Sequence, residues 1–299
     1  MTKHNLHGLG TALITPFLPS GAVDYTALDK LLDKQLTGGV DYIVVLGTTG
    51  EAATLDDTEK AQVRQFIVRK IAGRLPLVLG LGGNNTHRVI EEVTALRHTD
   101  HCPWAAILSV CPYYNKPSQE GLFRHFSAIA EASPVPVILY NVPGRTGVNL
   151  LPETVMRLHK ACPNAIIGIK EASGNVEQIK RLITLTQTEE QERRLMVISG
   201  DDGIAAELMQ AGADGLISVA ANAFPEDFSK IVHNADSALQ ARYAKMIDLL
   251  FKEGNPSGIK TVLSEMGLVK NYLRLPLVPN SKEVQEEINI ELCTLLSSL

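Results

Sequence analysis

Cysteine is scarce and scattered in this sequence. Its four cysteines, Cys102, Cys111, Cys162 and Cys293, form no CxxC pair, which argues against a zinc cluster and against a disulfide framework. No two histidines fall at metal-ligand spacing with a carboxylate, so no metal site is indicated. Positive charge is never massed. The net charge is −5 without a basic block, which sets nucleic acid and anionic membranes aside as partners. No apolar run reaches the length of a membrane-spanning helix. The opening residues, Met1–His7, are polar and lack the apolar core of a secretory signal, so the expected compartment is the cytoplasm. Aromatic side chains make up only 5% of the chain, so a tyrosine in an odd place is informative. The glycine fingerprint of a dinucleotide fold is missing after the first apolar run.

What is present is a large apolar fraction, 45% against 20% charged, in 299 residues, which suffices for the core of one α/β barrel. Short apolar runs predict strands at 8–17, 41–47, 76–83, 104–111, 135–141, 165–170, 194–200 and 215–221. Seven helix-period stretches lie between them. The first has Asp24 as its cap, an apolar stripe of Leu28, Leu31, Leu32 and Leu36, and Gly38-Gly39 as its stop. The second turns Val63, Phe66, Ile67 and Ile71 inward, and Pro152 suits the first turn of a later one. Continuous apolar strands spaced at roughly 30 residues are what parallel βα units, covered on both faces, require. Eight such units favour a closed (β/α)8 barrel, a TIM barrel, with an open doubly wound sheet as the alternative. Residues 225–299 contain no clear strand and read as about four helices. They extend a catalytic barrel over 1–224, either as an oligomer contact or as plain packing on the barrel wall.

In a barrel, function sits at the C-terminal strand ends. Here those ends carry Gly47-Thr48-Thr49-Gly50-Glu51, Pro112-Tyr113-Tyr114-Asn115, Tyr140-Asn141-Val142-Pro143-Gly144-Arg145-Thr146, Lys170, Ser199-Gly200-Asp201-Asp202 and Ile217-Ser218. Amine, phenol, hydroxyl and guanidinium suit Schiff-base formation and proton transfer at a carbonyl compound. Lys170 follows the apolar run Ile166-Ile167-Gly168-Ile169. Burial favours the neutral amine, the form that attacks a carbonyl. The alternative is a strand-end lysine with its stem in the core and its head in water. Tyr140 is likewise an acid–base phenol or a core filler with a wet hydroxyl. The turn 47–50 either aims backbone N–H groups at an anion or is only a small-residue turn.

Three of these motifs resemble the dihydrodipicolinate synthase and N-acetylneuraminate lyase family. They are Gly47-Thr48-Thr49-Gly50-Glu51, the segment 140–146, and Ile167-Gly168-Ile169-Lys170-Glu171-Ala172, in that order. The resemblance runs over essentially the whole chain. It implies a (β/α)8 barrel with additional C-terminal helices and a lysine-dependent, pyruvate-using aldolase that needs no metal or other cofactor. It gives Lys170 the Schiff base with the pyruvate ketone and Tyr140 the proton shuttle. Thr48 would link Tyr140 to Tyr114, with Tyr114 donated by a neighbouring subunit. The pyruvate carboxylate would lie at Thr48 and Thr49, bounded by Gly200 and Ile217. Arg145 selects the second substrate, because a guanidinium grips a carboxylate through two hydrogen bonds. L-aspartate 4-semialdehyde carries such a carboxylate, and the sialic-acid lyases usually lack this arginine. The implied reaction joins pyruvate to L-aspartate 4-semialdehyde, giving 4-hydroxy-tetrahydrodipicolinate for diaminopimelate and lysine biosynthesis. Glu51 is expected to hold its loop by hydrogen bonds, and Tyr113 to sit at an interface. The implied assembly is a homo-oligomer, a tetramer made of two tight dimers or a dimer alone.

Many members of this family are inhibited by lysine at a dimer cleft. Asn84 and Tyr113 fit the sensitive pattern, but Arg88 stands where an acid normally binds the effector's amine. Lys60 and Asp57 stand where histidines are usual. Two positive charges repel a cationic effector, so feedback is expected to be weak or absent. Two other readings stay open. One is a Schiff-base lyase for sialic acid or another keto acid, against which Arg145 and the segment 140–146 argue. The other is a non-catalytic barrel that binds a small keto acid, against which Lys170, Tyr140, Thr48 and Tyr114 together argue.

Overall fold

The computed structural model describes residues 6–98, 102–187 and 194–297, so most of the polar opening segment and the last two residues lie outside the described residues. Among the described residues eight strands form: β1 (Gly8–Ala12), β2 (Tyr42–Val45), β3 (Leu77–Gly80), β4 (Trp104–Val110), β5 (Val137–Asn141), β6 (Ile166–Glu171), β7 (Met196–Ser199) and β8 (Gly215–Ser218). They follow one another in sequence order around a closed barrel, with parallel pairing, which settles the choice against an open sheet. The helices between them are α1 (Tyr25–Thr37), α2 (Asp57–Ile71), α3 (Thr86–Ala95), α4 (Gln119–Ala132), α5 (Pro143–Thr146), α6 (Pro152–Ala161), α7 (Val176–Thr186) and α8 (Ala205–Gln210). After β8 come α9 (Pro225–Asn234), α10 (Ser237–Arg242), α11 (Ala244–Phe251), α12 (Ser257–Glu265) and α13 (Lys282–Ser297). Among the described residues no helix is long and apolar enough to cross a membrane.

The chain divides into two compact units, Pro76–Ile217 with the residues up to His7, and Gly8–Leu75 with Ser218–Leu299. In the second unit, Asp24 caps α1 by accepting the Ala27 N–H at 2.9 Å, and Leu28, Leu31 and Leu32 are buried. Gly38 ends α1 beside Pro225, the first residue of α9; a Cβ on Gly38 would stand 2.3 Å from the Pro225 ring, so only glycine fits. Asp56 and Glu59 form a reciprocal capping box on α2, satisfying two helix-end N–H groups. Asn222 ties β1 down by accepting the Ile14 N–H at 3.0 Å and donating to the Ala12 carbonyl at 2.8 Å.

In the first unit, Ile107, Val137, Ile138, Leu139, Ile169 and Val197 are all fully buried, as strands covered on both faces must be. His159 on α6 reaches back to the Ile166 carbonyl at 2.9 Å and pins that helix to β6.

Several strands end sooner than the apolar runs suggest. β1 stops at Ala12, although Leu13, Ile14 and Phe17 are buried: the Leu13 amide makes the last bond to β2, at the Val44 carbonyl, and the Ile14 amide turns to the Asn222 side chain. β8 stops at Ser218, and Ala220–Asn222 closes into a 3-10 turn. Among the described residues the C-terminal stretch holds five helices rather than about four. Tyr243 separates α10 from α11, its amide bonding back to the Gln240 carbonyl at 2.9 Å.

Candidate active site

Side chains alternate along a strand, so Gly168 and Lys170 share one face of β6, and Ile169 and Glu171 the other. The β5–β6 register pairs Tyr140 with Lys170 and Asn141 with Glu171. Phenol and amine are therefore neighbours by register. The Lys170 Nζ lies over the face of the Tyr140 ring, 4.5 Å from its centroid. Lys170 is 7% exposed, so nearly all of its side chain is enclosed. Gly200, one residue past β7, completes this enclosure. A Cβ there would lie 2.9 Å from Lys170 Cε and 2.6 Å from Ala172 Cβ, so the lysine stem occupies the space that a side chain would fill.

The other expected residues of this unit are placed as follows. Ile217 is buried on β8, which pairs with β7. Arg145 is exposed on α5, the single helical turn that follows β5. Tyr114 is 90% exposed and has a left-handed backbone with φ 72°, which a bulky residue adopts only under constraint. Its amide reaches the Thr146 carbonyl at 3.4 Å, and Asn84 donates to the Tyr113 carbonyl at 3.2 Å.

Thr48 and Thr49 lie in the other unit, on a 3-10 turn (Thr48–Gly50) after β2. Thr48 is exposed and Thr49 is buried, with its hydroxyl accepting a hydrogen bond from Asn255 Nδ2 at 2.9 Å. The Gly50 and Glu51 amides are taken by the turn itself, bonding to the Gly47 and Thr48 carbonyls. Glu51 has φ 50° and joins this turn to a second one, Ala52–Thr54. It holds the loop as expected, accepting the Arg274 N–H at 3.1 Å, but its main partner is an ion pair with Lys260, fully buried on both sides. Burial pulls the Lys260 ammonium below the ordinary lysine range, and Glu51 opposes that shift. In sequence Lys260 looks like an ordinary helix lysine within Ser-Gly-Ile-Lys-Thr-Val-Leu, with no sign of that burial.

Also unforeseen is the far side of the β5–β6 pair. Glu171 is fully buried and accepts N–H groups from Asn141 Nδ2 at 3.0 and 3.1 Å, Gln178 Nε2 at 3.0 Å and the Ser173 backbone at 2.9 Å. Burial pushes its carboxyl above the usual carboxylate range, while the three donors pull it back. The only signal in the sequence was a charged residue at the end of an apolar strand. Among the described residues no three His, Cys, Asp or Glu side chains gather as metal ligands.

A buried amine stands beside a phenol on adjacent parallel strands, and comparisons with known proteins cover nearly the whole chain. The model of the dihydrodipicolinate synthetase family matches residues 5–294. A 4-hydroxy-tetrahydrodipicolinate synthase from Parabacteroides distasonis is 48% identical over 296 residues, covering 96% of this chain and 96% of its own. The crystal structure of dihydrodipicolinate synthase from Thermotoga maritima superposes with a TM-score of 0.91 at 36% identity, covering 97% of this chain and 99% of that one. The chloride-inhibited dihydrodipicolinate synthase of Acinetobacter baumannii, complexed with pyruvate, gives a TM-score of 0.89 at 42% identity, covering 96% and 98%. With a family model over nearly the whole chain, a matching fold and this degree of identity, the chain belongs to the dihydrodipicolinate synthetase family.

Proposed function

We propose that this chain condenses pyruvate with L-aspartate 4-semialdehyde to 4-hydroxy-tetrahydrodipicolinate, the entry to diaminopimelate and lysine biosynthesis, by way of a lysine imine. The observation that carries this is Lys170, enclosed and set in register against Tyr140. The neutral amine attacks the pyruvate ketone, forming the Nζ–C bond, and the ketone oxygen leaves as water. The imine then lets the methyl carbon lose a proton and attack the aldehyde of the second substrate. Each step moves a proton near Nζ, and the Tyr140 phenol is close enough to carry it. The imine itself is the electron sink, so the reading requires no metal and no other cofactor.

Thr48 and Tyr114 enter as the rest of a hydroxyl relay, and Thr49, Gly200 and Ile217 as the pyruvate-binding residues, on the family resemblance. The near-complete exposure of Tyr114 on a constrained backbone supports its donation to a neighbouring subunit, and thereby a homo-oligomer built from dimers. Arg145 stands exposed one turn after β5, where a second carboxylate can reach it. Four free cysteines fit a reducing compartment, the cytoplasm. Arg88, exposed and ion-paired with Glu92, supports weak or absent feedback; millimolar L-lysine should not strongly inhibit turnover.

The decisive experiment is borohydride trapping with pyruvate. A pyruvyl mass adduct should map to Lys170 and vanish in Lys170→Ala. Arg145→Ala should keep the adduct and lose use of the semialdehyde. Cleavage of sialic acid in place of condensation would overturn the substrate assignment. A wild-type protein without an adduct would leave only a binding role.

A further inference from the structure

Asn141 follows Tyr140 on β5, and Glu171 follows Lys170 on β6. Their side chains meet on the sheet face opposite the amine and phenol, and each is fully buried. The contact is part of a closed network. Asn141 Nδ2 also donates to Asn149 Oδ1 at 2.7 Å, and Asn141 Oδ1 accepts the Leu150 N–H at 2.9 Å. Asn149 Nδ2 donates to Gln178 Oε1 at 2.8 Å, and Gln178 Nε2 returns to Asn149 and to Glu171. The backbone continues the same clamp. The Ala172 amide bonds to the Asn141 carbonyl at 2.9 Å, and the Gly200 amide to the Glu171 carbonyl at 2.7 Å.

A fully buried carboxylate is a costly thing to build into a strand, and the groups that hold this one are neutral amides. An apolar side chain would serve plain packing better. What a carboxylate offers is acceptors only, and here each of its hydrogen-bond partners is an amide N–H donor. A glutamine would turn an NH2 group against one of those donors.

We propose that Glu171, acting through Asn141, is a positioning residue that fixes Lys170 against Tyr140, the buried pair locking β5 to β6 one residue beyond the amine and the phenol. The proposal rests on the reading of Lys170 as the imine-forming amine. Loss of the lock lets the two strand ends shift, and small misplacements of reacting groups cost rate steeply.

The test uses the full chain, with pyruvate and borohydride as the probe. Glu171→Gln should slow adduct formation at Lys170 and lower kcat by about tenfold or more, with KM for pyruvate nearly unchanged. Leu158→Ala, a core truncation on α6, serves as the control for general loss of stability and should keep the wild-type adduct rate. Should Glu171→Gln not accumulate, Gln178→Met removes one donor and should slow the adduct about threefold. Wild-type rates in Glu171→Gln or Gln178→Met, or equal slowing in Leu158→Ala, would overturn the positioning role. A wild-type chain that forms no adduct would overturn the imine reading itself, a different result.

Discussion

Tyr140 and Lys170 are register partners on β5 and β6, and the amine lies over the phenol ring face, 4.5 Å from its centroid. Ring and hydroxyl can therefore be separated. Tyr140→Phe keeps the ring under the amine and removes only the proton carrier. Turnover should fall by about a hundredfold or more, the usual weight of a general acid–base group, while thermal unfolding stays as in wild type. Stopped-flow turnover beside a melting curve checks this. Full activity in the phenylalanine variant would assign proton transfer elsewhere.

Gly200 makes a second, steric prediction. A methyl group there meets Lys170 Cε at 2.9 Å, Ala172 Cβ at 2.6 Å and the Glu171 carbonyl oxygen at 3.1 Å. Two of these neighbours are short and held by the sheet, so the lysine stem must yield. Gly200→Ala should cost about 1–3 kcal/mol of stability, the range for overpacking. It should also slow pyruvate adduct formation, which mass spectrometry reads directly. An adduct rate equal to wild type would mean that the stem has room to move.

The strands and the barrel were legible because apolar runs at βα spacing leave few other solutions. Lys170, Tyr140 and Gly200 could be placed because neighbouring strand ends fall together once strand order is known. The strand ends themselves were not legible. Leu13, Ile14 and Phe17 are as buried as strand residues, and an apolar run does not say whether its backbone stays in the ladder. The Glu171–Asn141 network and the Lys260–Glu51 pair escaped for another reason. Both depend on partners that the fold brings together from separate segments, and neither residue type announces its burial.

His125 sets an acid limit on stability. It is buried on α4, with Nδ1 2.8 Å from the Thr86 hydroxyl, and burial pushes its pKa down to about 4. The unfolded chain keeps an ordinary imidazole, which protonates near pH ~6.5. Between these values the unfolded state binds the extra proton, so the stability from this group is full above about pH 6.5 and is lost as pH falls toward 4. His125→Gln removes the titration. The drop in unfolding free energy between pH 7 and pH 4.5 should shrink by about 2 kcal/mol relative to wild type, at 1.36 kcal/mol for each pKa unit. Urea titrations at the two pH values measure it. An unchanged drop would show that the imidazole is protonated within the fold.

Lys260 and Glu51 predict a double-mutant result. The ammonium also donates to the Tyr272 carbonyl at 3.1 Å and lies over the Phe17 ring, 4.2 Å from its centroid, so the pair is closed off from water. Removing one member strands the other. Lys260→Met leaves a buried carboxylate without its cation and should cost about 3–5 kcal/mol. Lys260→Met/Glu51→Gln removes both charges while keeping an oxygen for the Arg274 N–H, and should recover most of that loss. The same pair anchors the turn that carries Thr48 and Thr49, because Glu51 joins the two 3-10 segments at φ 50°. The single variant should therefore lose activity along with stability, and the double variant should regain both. A double variant as unstable as the single would show that the charges matter less than the volume of the lysine stem among Phe17, Tyr272 and α12.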